Sequence, residues 1–180
     1  MDKIYIISTD YLKNNVVINL NVDDDFLTKS ILDAQQFHIR RLLGSNLYDT
    51  ILDKIKNDQL TGNYLTLVDD YIVDTLLYYA FHEAIIWLLF KVENKSIVKK
   101  NSENSTPVDL PEMSLIREDI SNKAEFYAEK LVKYLCANSS LFPEYTESTS
   151  SIDSVAPDTQ VQYDSGLYLR KGKRRWNIYS

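Results

Sequence analysis

The chain has 180 residues, 44% of them hydrophobic and 26% charged, values that are ordinary for one globular domain with appendages. Its single cysteine, Cys136, excludes an intramolecular disulfide and a cysteine-based zinc site, and it suits folding in a reducing compartment. The formal net charge is −6, but five lysines and arginines and one acid lie within residues 164–180, so the carboxyl end is basic on an acidic protein. The first residues lack the basic and apolar pattern of an export signal.

Two short β-branched runs come first, at residues 4–7 and 16–20. The segment between them, STDYLKNN, is rich in residues that favour local turns. The two runs are therefore expected to pair with each other or to lie extended across the helices. Asp23, Asp24 and Asp25 then supply the cap and the negative first turn of a helix, and they lack the alternating spacing and central glycine of a calcium-binding loop.

An amphipathic helix is predicted from Asp24 to Leu43, because apolar residues recur there at intervals of three and four. Gly44 is expected to end this helix, since glycine accepts a left-handed conformation. A second helix is predicted to end near Asn57, and Thr61-Gly62-Asn63 indicates a turn.

The central helix is predicted from Tyr64 to about Val92, a stretch without glycine or proline. Its most apolar part, TLLYYAFHEAIIWLLF, is shorter and more polar than a membrane span, so a core helix and no membrane contact are expected. Because the pattern becomes apolar nearly all round, part of this helix is expected to meet another subunit.

A polar loop is predicted over residues 93–109, followed by a last helix from Asp109 to about Asn138. The fold class predicted from these elements is mainly α, with three to four helices in an antiparallel bundle. A short extended segment precedes the bundle, and an extended or hairpin-like arm follows it. Residues 1–142 would form the helical body.

The composition changes after this body, since residues 143–164 contain many serines, threonines and acids and little that could be buried. They predict a flexible acidic linker. Residues 165–180 are basic and aromatic, and we expect them to be a docking segment. The segment would add a strand to a partner or insert into it with Trp176 as the anchor. Contact of its basic residues with nucleic acid and a merely solvated tail are the alternatives. The candidate partner-binding residues are Leu167, Tyr168, Leu169, Arg170, Lys171, Lys173, Arg174, Arg175, Trp176 and Tyr179.

No catalytic or cofactor motif is present in the sequence. His82-Glu83 begins like a helical zinc-protease motif, but Ile86 stands where the second histidine would be. His82 is therefore expected to be a histidine at the edge of the core, hydrogen-bonded to a neighbour, and His38 stands alone on its helix face. The four glycines are isolated, which excludes the usual phosphate-binding loops. The sequence thus predicts neither an enzyme nor a metal or cofactor site, and a small hydrolase would require a deep pocket on which His82 and Glu83 converge.

Residues 7 to about 142 resemble the head-tail connector, or ring, proteins of tailed bacteriophages, and most closely those of crAss-like phages. The resemblance is carried by ISTDYLKNN at residues 7–15 and by INLNVDDDFLTKSILDAQQFHIRRLLGSNLYDTI at residues 18–51. Its most specific part is Asp23 to Ile51, with AQ and LLGSNLY as landmarks.

The resemblance implies a helical structural protein of the virion neck, made in the host cytoplasm, with no enzymatic activity and no cofactor. It implies a homo-oligomeric ring, typically of twelve subunits, that binds the portal protein on one side and the next connector or tail protein on the other. DNA would pass through this channel without sequence-specific binding. A nucleic-acid-binding adaptor that uses the basic carboxyl end is the alternative function.

Overall fold

The protein is mainly helical, as the sequence predicts. The structure is a computed structural model, and it describes residues 3–18, 22–93, 96–99, 110–146 and 155–159, with the backbone alone for 86–93, 96–99 and 110–113. The helices are α1 (Thr9–Asn15), α2 (Asp24–Ala34), α3 (Arg40–Lys56), α4 (Gly62–Leu67), α5 (Val73–Leu89), α6 (Leu110–Ala137) and α7 (Pro143–Thr146). A π-helical turn joins α2 to α3 (Gln35–Ile39), a second one joins α4 to α5 (Val68–Ile72), and a 3-10 turn (Ser139–Leu141) precedes α7.

The core lies where α5 packs against α2 on one side and against α6 on the other. Its centre consists of aliphatic side chains with no more than 1% of their surface exposed, among them Leu27, Ile31, Leu76, Leu131 and Leu135. Complete burial of each such side chain contributes roughly 1.5–3 kcal/mol relative to its exposure. Packing of these apolar faces therefore holds the bundle together.

The amino-terminal segment differs from the prediction, because the polar stretch between the two β-branched runs is the helix α1. The Ser8 hydroxyl caps α1 by accepting a hydrogen bond from the Tyr11 amide at 3.1 Å. Leu12 is fully buried, and this burial outweighs the local turn preference of the flanking polar residues. Residues 3–7 and 16–18 contain no helix or strand, so pairing, one of the two arrangements expected for these runs, does not form within the described residues.

Gly44 interrupts the helical geometry of α3, with φ of 75° and ψ of 159°. This region of backbone space is almost restricted to glycine, so the sequence-based prediction that the first long helix ends here is confirmed. Helix α3 therefore consists of two helical segments that meet at a kink at Gly44.

The predicted central helix from Tyr64 to Val92 is divided into α4, a π turn and α5, and it ends three residues early at Leu89. An antiparallel hairpin of β1 (Phe90–Glu93) and β2 (Ser96–Lys99), in which Phe90 opposes Lys99, replaces the end of the predicted helix and the first part of the predicted loop. The β-branched residues of this stretch favour strands. A prediction based on helical periodicity does not take that preference into account. Among the helices of the described ranges, none is long and apolar enough to cross a bilayer.

Parts of the predicted acidic linker belong to the body. Residues 143–146 form α7, in which Tyr145 is 4% exposed, and the preceding Phe142 is fully buried. Residues 155–159, which we call the strap, return to the body and pack on α3. The boundary predicted at residue 142 is therefore wrong for these two stretches, because two aromatic side chains and a set of backbone hydrogen bonds hold residues whose composition resembles a linker.

Candidate interaction site

The structure does not test the predicted docking residues, all of which lie outside the described residues. They are Leu167, Tyr168, Leu169, Arg170, Lys171, Lys173, Arg174, Arg175, Trp176 and Tyr179. The described part of the chain offers three features that bear on function: a tyrosine-lined groove, a histidine cluster and the strap.

Helix α4, the π turn after it and α5 form one segment, residues 62–89, which we call the α4–α5 unit. The tyrosine seam is a row of stacked aromatic rings where this unit meets α6. Tyr71 stacks on Tyr134 with ring centroids 4.0 Å apart, and Tyr78 stacks on Tyr127 at 5.1 Å. Tyr71 and Tyr78 are seven residues apart, as are Tyr127 and Tyr134, so about two helical turns separate the two stacked pairs. The earlier tyrosine of one element stacks on the later tyrosine of the other, so the two elements are antiparallel. Each of these four tyrosines is partly exposed, so the seam is both a packing contact and a surface.

A groove of about 460 Å³ opens along one end of this seam. Phe126 lines this groove, and 59% of the surface of Phe126 is exposed. The Lys130 ammonium lies 5.0 Å from the centre of the Tyr71 ring, and Lys133 forms a 2.6 Å ion pair with Glu129. The lining residues are Tyr71, Phe126, Glu129, Lys130, Lys133, Tyr134, Ala137 and Asn138.

Acidic residues of the α4–α5 unit lie close to the tyrosine rings. Burial, the neighbouring Tyr71 and the Asp70 carboxylate together raise the pKa of Tyr134. Burial, Tyr78 and the Asp74 carboxylate raise the pKa of Tyr127 in the same way. The seam therefore has carboxylates beside its aromatic rings, whereas the lining of the groove carries Lys130, Lys133 and Glu129.

Tyr64 extends the aromatic contacts towards the carboxyl end of the body. Its ring meets Phe142 edge to face at 5.4 Å, and its hydroxyl donates to the Glu144 carboxylate, whose two oxygens lie at 2.9 and 2.8 Å. Burial and this carboxylate raise the pKa of Tyr64 to about 12. The contact fastens α7 to α4, so the residues that lead out of α6 are held on the body.

Both histidines of the chain meet one carboxylate. His38 Nε2 lies 2.9 Å from Glu83 Oε1, and its ring stacks on Tyr79 at 4.0 Å. His82 Nδ1 lies 3.6 Å from the same oxygen, and Arg117 Nη2 lies 3.4 Å from His82 Nε2. The cluster thus connects the π turn before α3 with α5 and α6. The prediction for His82 is confirmed, whereas His38, expected to be alone on its helix face, has a charged partner.

The electrostatics of this cluster favour a neutral His82. Burial and the Arg117 guanidinium lower the pKa of His82, and the opposing effect of Glu83 is smaller. In the neutral ring, Nε2 accepts from Arg117, and the buried Nδ1 has no hydrogen-bond partner among the described residues, since Glu83 Oε1 lies 3.6 Å away. Within the part of the chain that the structure describes, no group of histidine, cysteine or acidic side chains could hold a metal ion. Neither His82 nor Glu83 lines the tyrosine groove, so the pocket that a hydrolase would require is not provided by that groove.

The strap pairs with α3 at the Gly44 kink. The Ser45 amide donates to the Val155 carbonyl at 2.9 Å, and the Val155 amide donates to the Ser45 hydroxyl at 2.9 Å. Farther along, the Asp158 amide donates to the Arg41 carbonyl at 3.0 Å. The kink makes these bonds possible, because a continuous helix would already use the Ser45 amide internally. Residues 155–159 consequently lie beside α3.

Sequence reasoning missed the seam and the strap for different reasons. The seven-residue spacing of Tyr71 and Tyr78, matched by Tyr127 and Tyr134, is a signal that could have predicted the seam. The strap offers a weaker signal, since backbone atoms and one proline hold it. No periodic apolar pattern accompanies such contacts.

The described residues form a mainly helical domain. Residues 39–155 match a family of unknown function, DUF6712, and the chain belongs to this family. The match extends from the end of the first π turn to Val155, the residue that pairs with Ser45. No curated protein and no solved structure matches the chain.

Proposed function

We propose that this protein is a structural component of a tailed-phage virion, a head-tail connector that forms a ring beneath the portal. The ring extends the DNA channel and joins the capsid to the tail. The resemblance over residues 7 to about 142 carries this proposal. The mainly helical fold is the one that the resemblance implies, and it supports the proposal at that coarse level.

The strap gives the proposal a structural basis. A connector subunit has to hold a neighbour or an adjoining ring, and an arm that leaves the body from a fixed point suits that task. The strap fastens the chain to α3 through three hydrogen bonds before residues 160–180 begin. Those residues carry the docking segment and its basic and aromatic side chains. Partners for it are the same chain in the next subunit, the portal protein, and the next connector or tail protein.

The charge of the chain fits a channel wall. The chain carries 26 acids and 20 lysines and arginines, and most of its bases outside residues 164–180 are spread along the sequence. Clustered bases bind the phosphate backbone, so a wall with an acidic excess lets DNA slide through. Sequence-specific DNA binding, catalysis and a cofactor form no part of the proposed role.

The proposal is tested by measuring the mass of the full-length protein alone and with its portal protein, followed by electron microscopy of the complex. We expect a closed ring seated on the portal, and loss of ring formation in Trp176→Ala without loss of helical content. A protein that stays strictly monomeric in both conditions would refute the proposal. Tight DNA binding that disappears when the bases from Arg170 to Arg175 are neutralised would favour the nucleic-acid-binding adaptor.

A further inference from the structure

We infer that the tyrosine groove is the receptor for the docking segment, residues 165–180, of a neighbouring copy, with Trp176 bound between Phe126 and the Tyr71–Tyr134 pair. This inference rests on the proposed function, which brings several copies together. It assigns a binding surface on the body and names its occupant.

The groove and the segment match in apolar character. Phe126 is 59% exposed on a helix whose neighbouring Tyr127 and Tyr134 are already stacked, so one more aromatic ring can join an existing row. A volume of about 460 Å³ is sufficient for an indole ring and one flanking side chain. The segment supplies Leu167, Tyr168, Leu169, Trp176 and Tyr179 within sixteen residues, and such side chains gain by leaving water.

Acidic side chains lie beside the seam. Trp176 directly follows Arg174 and Arg175 in the sequence. The carboxylates of Asp70 and Asp74 act on the hydroxyls of Tyr134 and Tyr127, respectively. The groove lining itself carries two lysines and one acid, with Lys133 paired to Glu129 and Lys130 lying 5.0 Å from the centre of the Tyr71 ring. The indole of Trp176 would therefore occupy the groove, and the two guanidinium groups would meet the carboxylates of the adjoining α4–α5 unit or stack on tyrosine faces.

The point at which the strap ends allows the segment to reach another copy. Trp176 lies seventeen positions after Thr159, and a fully extended chain of that length spans about 56–61 Å. The longest helix of the body, α6, has 28 residues and a length of about 42 Å. The segment can therefore cross one body and enter the groove of the next.

The test uses full-length protein that carries a photo-crosslinking amino acid at position 126. Copies labelled with light nitrogen and copies labelled with heavy nitrogen are mixed in equal amounts. Irradiation is carried out on the protein alone and on the protein with its portal. We expect crosslinks from position 126 to residues 165–180, and half of the linked pairs to contain one light and one heavy chain. The same crosslinker at Phe37, which is 66% exposed on a different element, serves as the matched control and should not capture this segment.

Variants supply the second measurement. Trp176→Ala should lower the crosslink yield at position 126 at least tenfold, and Trp176→Phe should retain most of it, because the aromatic contact persists. Phe126→Asp should weaken association of the full-length chains by about thirtyfold, the effect of losing one anchor residue. Phe37→Asp, an equally drastic change at a comparably exposed position, should leave association unchanged.

Two results would overturn the inference. Absence of the crosslink would do so, and so would crosslinks confined to chains of one isotope, since these would show that the segment docks on its own subunit. A ring that assembles on the portal without this crosslink would leave the proposed function standing. Mixed-isotope crosslinks in a protein that never binds the portal would support the groove as receptor and refute the connector role.

Discussion

Gly44 and Pro157 touch at the place where the strap crosses α3. A Cβ atom added to Gly44 would lie 2.8 Å from Pro157 Cδ, a distance that requires movement, and 3.0 Å from Pro157 N, which is tighter than most Cβ contacts. Gly44 also has a φ of 75°, so a glycine is required here both for the backbone conformation and for the space that the strap occupies.

Gly44→Ala should lower the free energy of unfolding by more than the roughly 1–3 kcal/mol that backbone strain alone costs in this region. The measurement is urea denaturation followed by circular dichroism. Gly62→Ala is the matched control, because Gly62 also has a positive φ, of 58°, but its added Cβ would meet nothing within 4 Å. Equal decreases in the free energy of unfolding of the two variants would show that the contact between Gly44 and the strap does not contribute to stability.

Truncation of the chain should reveal how much the strap stabilises the body. A protein ending at Thr159 keeps the three hydrogen bonds of the strap, whereas one ending at Thr146 loses them together with the cover that Pro157 gives to Gly44. Each hydrogen bond contributes roughly 0.5–1.5 kcal/mol, so the shorter protein should be less stable by about 2–4 kcal/mol. Thermal unfolding of both proteins measures this difference, and superimposable curves would contradict the expected role of the strap.

Gln35 joins the amino-terminal segment to the bundle. Its side chain accepts from the Ile6 amide at 3.0 Å and donates to the Ile4 carbonyl at 3.1 Å, and it is 1% exposed. Gln35→Leu should cost about 1–3 kcal/mol, because backbone groups lose their partner away from water. Hydrogen exchange at the Ile6 amide should accelerate as well. Gln36→Leu should leave that amide protected, since Gln36 bonds Tyr48 and Arg40 instead, and faster exchange in both variants would argue against the specific pairing.

The histidine cluster should make the fold sensitive to mild acid. The pKa of His82 lies below its usual value of 6.5 in the folded protein, so between these two pKa values the unfolded chain binds more protons than the folded one. Stability is therefore expected to fall as the pH decreases from about 6.5. His82→Gln removes the titrating group and should flatten the dependence of unfolding free energy on pH between about 7 and 5.

Arg117→Gln should act in the same direction, because the guanidinium is the largest electrostatic cause of the lowered pKa. Urea denaturation at a series of pH values measures both effects. If the two variants lost stability with acid as steeply as the unaltered protein, titration of other groups would have to account for the dependence.

The elements that follow a regular apolar period were predictable from the sequence. The last helix, predicted from Asp109 to Asn138, is found from Leu110 to Ala137, and the break at Gly44 was expected from glycine's conformational freedom. The two π turns were not predicted, because one extra residue in a turn shifts the period without a change in composition. The contact of His38 with Glu83 joins residues 45 positions apart in the chain, and the packing of the first π turn against α5 that brings them together is not encoded locally.

The strap also sets an effective concentration. Because the strap holds the chain as far as residues 155–159, residues 160–180 can reach no more than about 70–75 Å from that point, whereas a chain free from residue 147 onward could reach about 110–120 Å. The concentration of a tethered group around its anchor rises steeply as the tether shortens. Breaking the Ser45–Val155 pairing would therefore weaken any contact made by the docking segment through dilution alone, with every residue of that contact intact.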